Sequence, residues 1–167
     1  MDSLPNGKWT IDPSSTRVEV SVKNFGFRTV VGTLDVTAGS IEIADGALVS
    51  ATVDANAASY ASGNAKRDEH VISADFLDAA SHPTIRFTAT GATVVGSGYR
   101  LDGTAHVKGA QSPLTLHVKS LDHAGGRASF SANGVIDRNA IGIDKMPSLM
   151  IGDELSFAIT ATAQPLT

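Results

Sequence analysis

Cysteine is absent from the 167 residues of this chain, which excludes disulfides, thiolate nucleophiles and cysteine-held zinc, and leaves the redox compartment open. Aromatic residues are scarce at 5%, and charged residues make up 18% against 42% hydrophobic. A positive excess is missing too. With a formal net charge of −4 and pI about 5.6, no overall field draws a nucleic-acid backbone or an anionic bilayer. No stretch approaches the roughly 18 apolar residues of a membrane-spanning helix. Residues 1–9, MDSLPNGKW, hold no basic segment followed by an apolar one, so the expectation is a soluble, unexported protein.

What is present is a period of two. Val18, Val20 and Val22 alternate with Arg17, Glu19, Ser21 and Lys23, the pattern of a strand with one buried face. The same alternation runs through Val49, Ala51 and Val53; through Ile85, Phe87 and Ala89; and through Leu101, Ala105 and Val107. It continues in Leu114, Leu116 and Val118, in Phe130, Ala132 and Ile136, and in Leu155, Phe157, Ile159 and Ala161. With residues 28–34 and 39–44 this makes eight or nine strands. Turn signals separate them at Asp45-Gly46, Gly96-Ser97-Gly98, Lys108-Gly109 and Gly125-Gly126. One exception interrupts the series, where Asn64 can cap a helical run from Ala65 to Ile72. No linker or repeat divides the chain, so one domain, 1–167 with its core at 9–163, is expected. Consecutive antiparallel strands must hide their edges, and the fold class predicted is all-β: a closed antiparallel eight-stranded lipocalin-like barrel with one short helix.

A barrel of that size is just wide enough to fill with its own side chains or to hold one slender ligand. Its predicted lining is Val18, Val20, Val22, Val49, Val53, Ile85, Phe87, Leu101, Leu114, Leu116, Phe130, Phe157 and Ile159. Charged residues fall on the outward parity almost throughout, so a cavity there is apolar and suits a hydrocarbon chain, not a sugar or nucleotide. A well-packed, filled barrel acting through its surface is the alternative.

Arg67, Asp68 and His70 form the densest ionisable cluster. Acid/base chemistry there needs a nucleophile or metal that no motif supplies, so an ion-pair network anchoring the helix is the favoured reading, with an enzyme acting on a bound lipid as the rival. The histidines, at 70, 82, 106, 117 and 123, show no metal-ligand spacing, although His106 and His117 could meet on neighbouring strands. Gly96-Ser97-Gly98 lacks the helix and lysine of a phosphate cradle, and no cofactor is expected. Arg138 takes an inward parity and needs a partner, for which Asp68 and Asp12 are candidates. The structural polar cluster is accordingly Asp12, Arg67, Asp68, His70 and Arg138.

These pieces, taken in order, resemble the YceI-like family. The resemblance rests on Trp9-x-Ile11-Asp12-Pro13, Val31-Gly32, Arg67-Asp68-x-His70, Pro83-x-Ile85-x-Phe87, Asp137-Arg138 with Gly142-Ile143, and Ile151-Gly152-Asp153, spread from Trp9 to about Ala163. It implies an extended lipocalin-type barrel that binds a polyisoprenoid, an isoprenoid quinone or a fatty-acid amide, without metal or established catalysis. It also implies a homodimer in some members, and, together with residues 1–9, a cytoplasmic location. Two positions depart from the family pattern: Ser15-Thr16 stands where His-Ser is common, and Asn24 where a second His is common. If those histidines receive a head group, this chain prefers a different one.

Overall fold

The alternating segments become strands because each offers one apolar face to the interior and one polar face to water. The computed structural model describes residues 5–24, 28–45, 47–74, 76–96, 98–141, 152 and 154–166. It contains β1 (Gly7–Ile11), β2 (Arg17–Asn24), β3 (Arg28–Ala44), β4 (Ala47–Ala61), α1 (Ala65–Ile72), β5 (Thr84–Ala89), β6 (Thr93–Val95), β7 (Gly98–Val107), β8 (Ala110–Ala124), β9 (Arg127–Asp137) and β10 (Glu154–Pro165). All the pairings are antiparallel.

Closure depends on a broken strand. β1 and β2 follow one another in sequence, yet each pairs with β3 on one side and β10 on the other. They are two halves of one stave, interrupted by the 3-10 turn Pro13–Ser15 that Asp12 caps through the Ser14 amide. The circuit then runs β1/β2, β3, β4, β5, β7, β8, β9, β10 and back, giving the eight-stranded barrel expected, while β6 extends the β5 position along β7. Such a circuit has no free edge.

Two ends follow from the strand directions. The β3–β4, β6–β7 and β8–β9 hairpins, the start of β1 and the finish of β10 lie at one, here called the hairpin end. The β7–β8 turn, α1 and the turn Arg138–Ile141 that follows β9 lie at the other, the helix end. Lys108 (φ 55°) and Gly109 (φ 74°) both take positive φ, as a two-residue hairpin turn requires. Asn64 caps α1 as its sequence predicts, its Oδ1 accepting from the Arg67 amide at 3.0 Å. Val71 and Ile72 of α1, with buried Phe76 and Leu77, pack onto the interior.

Two local readings are corrected by bulges. Residues 28–34 and 39–44 belong to one continuous β3, whose pairing with β4 shifts at Thr37 and resumes. Val49, expected to face inward with Ala51 and Val53, is 39% exposed. Ser50 sits opposite Glu42 while Leu48 sits opposite Ile43, so Val49 is the extra residue of a bulge that flips the parity. Leu48 takes the inward place.

Candidate functional site

The interior differs between its two ends. Towards the helix end it is filled by Tyr60, Phe76, Leu77, Val107, Leu114, Ile136 and Ile141, each at most 9% exposed. In the hairpin half a partly open cavity of about 90 Å³ remains, lined by seventeen of the described residues. They are Ile11, Thr16, Ile41, Ile43, Leu48, Ala51, Val53, Phe87, Ala92, Tyr99, Leu101, Leu116, Val118, Phe130, Ala132, Ile159 and Ala161. Small side chains leave the space: Ala51, Ala92, Ala132 and Ala161 stand where a leucine would fill it. Below it, Trp9, 1% exposed, seals the wall beside Ile11, Ile41 and Ile43, and its indole N–H donates to the Pro5 carbonyl at 3.0 Å.

Six of the predicted lining residues reach this cavity: Val53, Phe87, Leu101, Leu116, Phe130 and Ile159. Val18, Val20, Ile85, Leu114 and Phe157 lie in or against the packed core. Val22 is half-buried and borders a shallow cleft with Lys23, Thr29 and Glu154, outside the cavity. The predicted lining leaves out Ile11, Thr16, Ile41, Ile43, Leu48, Ala51, Ala92, Tyr99, Val118, Ala132 and Ala161, of which Ala51, Val118, Ala132 and Ala161 take the predicted inward parity. For Val118 and Tyr99 the signal was parity with Leu116 and Leu101; for Thr16, parity with Val18 across the turn.

The YceI-like domain family matches residues 9–163, nearly the whole chain. The chain belongs to the YceI-like family. Among its relatives, a UPF0312 protein of Serratia proteamaculans is 32% identical over 133 residues, covering 75% of this chain and 69% of that protein. Protein YceI of Escherichia coli O157:H7 is 35% identical over 89 residues, half of this chain and 47% of the relative. The chain therefore spans about half the length of that relative. In structure it is similar to BcnA of Burkholderia cenocepacia, with TM-score 0.82, 18% identity, and 91% and 98% of the two chains covered. It is also similar to a polyisoprenoid-binding domain from Saccharophagus degradans, with TM-score 0.75, 12% identity, and 95% and 98% covered. At these identities the likeness concerns the fold.

The polar positions of the YceI-like pattern do not form one cluster. Asp12 lies near the hairpin end, where its Oδ1 accepts from the Ser14 amide (3.0 Å) and hydroxyl (2.7 Å) and its Oδ2 from Ser15 (3.2 Å) and Arg127 (2.8 Å). The Ser14 hydroxyl, above all, holds its carboxyl below the usual carboxylate range. Arg138 lies beyond Asp137, the partner of Glu154, whereas the Asp12 amide bonds the Thr162 carbonyl. Eight residues of β10, about 26 Å, separate those levels, so the expected Asp12–Arg138 bridge is ruled out. Arg138 is 1% exposed and its Nε donates to the Gly152 carbonyl at 2.9 Å. Gly142, Ile143, Ile151 and Asp153 lie outside the described residues.

Arg67, Asp68 and His70 do share α1, where Asp68 accepts from the amide (2.9 Å) and hydroxyl of Ser62, and Arg67 Nη1 donates to the same hydroxyl at 3.3 Å. These bonds tie α1 to the end of β4. Burial pushes the Tyr60 phenol above its usual 10.0, and the Asp68 carboxylate adds to the shift. The His70 ring meets Phe76 edge-on, with centroids 4.7 Å apart. All of this sits at the helix end, away from the cavity. His106 and His117 do not meet, for His106 pairs with Gln111 and His117 with Arg100.

Proposed function

We propose that this protein binds one slender apolar molecule, a polyisoprenoid, isoprenoid quinone or fatty-acid amide, with its chain inserted into the hairpin half of the barrel. One observation carries the reading: apart from Thr16 and Tyr99 the cavity is lined by alanines, branched aliphatics and two phenylalanines, with no charged side chain among the seventeen described residues. A space of about 90 Å³ is room for roughly six to nine water-sized spheres at 10–15 Å³ each. Few polar partners are present to hold water there, so apolar matter is the better occupant. Each methylene transferred from water contributes about 0.8 kcal/mol, so the part of the chain that enters the cavity offsets the cost of association in proportion to its length. The polyisoprenoid-binding domain from Saccharophagus degradans, a protein of the same fold, lends support. Sequestration or carriage is the role this chemistry suits; the Arg67/Asp68/His70 cluster supplies hydrogen bonds to Ser62 at the far end of the barrel from the cavity.

The test is to purify the protein under native conditions, extract it with organic solvent and analyse the extract by mass spectrometry beside a denatured, delipidated control. The expected result is a long-chain lipid in near-stoichiometric amount, or its uptake by the delipidated protein. A protein that emerges empty and ignores added prenyl lipids would leave the filled-barrel reading in its place.

A further inference from the structure

We infer that Tyr99 reads the head group of the apolar ligand, and that the group it selects is a neutral oxygen function, such as an alcohol, amide or quinone carbonyl, and not a phosphate or carboxylate. The inference rests on the apolar-ligand reading and names which member of that class fits.

Only two of the seventeen lining side chains, Thr16 and Tyr99, carry a polar atom. They face each other across the barrel, since four strand steps separate β7 from the β1/β2 stave in either direction. Thr16 is already engaged: its hydroxyl donates to the Asp12 carbonyl at 2.7 Å and accepts from the Thr162 amide at 3.5 Å. Tyr99 is different. Its parity with Leu101 turns it inward beside Val118, at the hairpin end of β7. Its hydroxyl makes no hydrogen bond with any described residue. It therefore offers a donor that no described residue uses, half-buried at the hairpin end of the cavity.

Charge at the rim points the same way. Among the described residues, the arginines near that end are committed to carboxylates outside the cavity, Arg127 to Asp12 at 2.8 Å and Arg100 to Asp102 at 3.2 Å, and Lys8 is exposed on the parity of β1 opposite to that of buried Trp9 and Ile11. An anionic head entering beside Tyr99 would lose water and gain no cation, which strongly disfavours it. A neutral oxygen needs one hydrogen bond, and Tyr99 supplies it.

The experiment compares tetradecan-1-ol, tetradecanamide and tetradecanoate as competitors for diphenylhexatriene, a hydrocarbon fluorophore with no head group, in wild type and Tyr99→Phe at about pH 8. The expected result is that the alcohol and the amide bind at least about tenfold more tightly than the carboxylate. Tyr99→Phe weakens the alcohol and amide about 3- to 10-fold, the range of one neutral hydrogen bond, while diphenylhexatriene binding is unchanged. Equal or tighter binding of tetradecanoate by wild type overturns the neutral-head inference and leaves apolar binding standing. Unchanged alcohol and amide affinity in Tyr99→Phe overturns the assignment to Tyr99. A folded protein that takes up neither fluorophore nor alcohol sinks the apolar-ligand reading and this inference together.

Discussion

The ring of Tyr60 in β4 lies against the backbone of Gly32 in β3, so close that a Cβ built at Gly32 would stand 2.3 Å from the ring carbons. A wide bulge makes the approach possible. Asn56 opposes Asp35 and Ala61 opposes Thr33, so the four residues 57–60 stand against Leu34 alone, and the three extra ones swing Tyr60 over the strand into the core. Ordinary strand propensity predicts that Gly32→Ala stabilises the sheet. The contact reverses the sign: Gly32→Ala should destabilise by about 1–3 kcal/mol, measured by denaturant unfolding. The same change in a Tyr60→Leu background should cost clearly less. Equal costs in the two backgrounds would mean that the ring is not what excludes the Cβ.

Tyr60 should also titrate late. The chain has two tyrosines, so in a Tyr99→Phe protein the tyrosinate absorbance reports Tyr60 alone. Burial, first, and the Asp68 carboxylate, second, raise its pKa above 10.0 in the fold. The neutral phenol is therefore the form the fold prefers, and its contribution is whole below pH 10 and lost as pH rises through the folded value. Asp68→Asn should bring the midpoint down part of the way, leaving the larger shift from burial. A midpoint at or below 10.0 in the folded protein would contradict the buried position.

Much of this architecture was legible in period and punctuation. Alternation gave the barrel staves, Asn64 gave the helix start, and Lys108-Gly109 gave a hairpin, because each depends on a few adjacent residues. Bulges were not legible. Val49 carries the right hydrophobicity and the wrong parity, and only its pairing with β3 reveals the extra residue. The interruption at Pro13 hid that Ile11 and Thr16 belong to one stave, and so hid two cavity residues. The sequence could also not tell which inward positions pack and which leave space. Phe157 and Phe130 have the same parity and type, yet only Phe130 reaches the cavity. Arg138 was read correctly as buried but wrongly offered Asp12 as a partner, since the length of β10 between them is a matter of register.

At the break in the broken stave, Asp12 joins the turn to the β8–β9 hairpin through Arg127. Its carboxyl is held below its usual value of 3.8, chiefly by the Ser14 hydroxyl. A carboxylate whose folded pKa is lowered stabilises above the unfolded value and loses that contribution as pH falls through the folded one. Melting temperatures of wild type and Asp12→Ala, followed from about pH 6 down to about pH 2.5, should differ at the upper end and converge below 3.8. A gap that stays constant across the range would show that ionisation of Asp12 plays no part in holding the turn.

The small residues of the hairpin half separate stability from binding. Ala132 is 6% exposed and lines the cavity together with Phe130 and Ile159. Ala132→Leu adds three carbons to a space of about 90 Å³ that the protein leaves unfilled. If the space serves a ligand, filling it should raise the stability of the delipidated protein by about 1–2 kcal/mol and abolish uptake of diphenylhexatriene. A filled barrel that works through its surface predicts the reverse: overpacking costs about 1–3 kcal/mol, and there is no binding to lose. Gain of stability with loss of binding in one substitution is the outcome only a working cavity gives, because evolution retains an unfilled apolar space against its cost in stability only where something else occupies it.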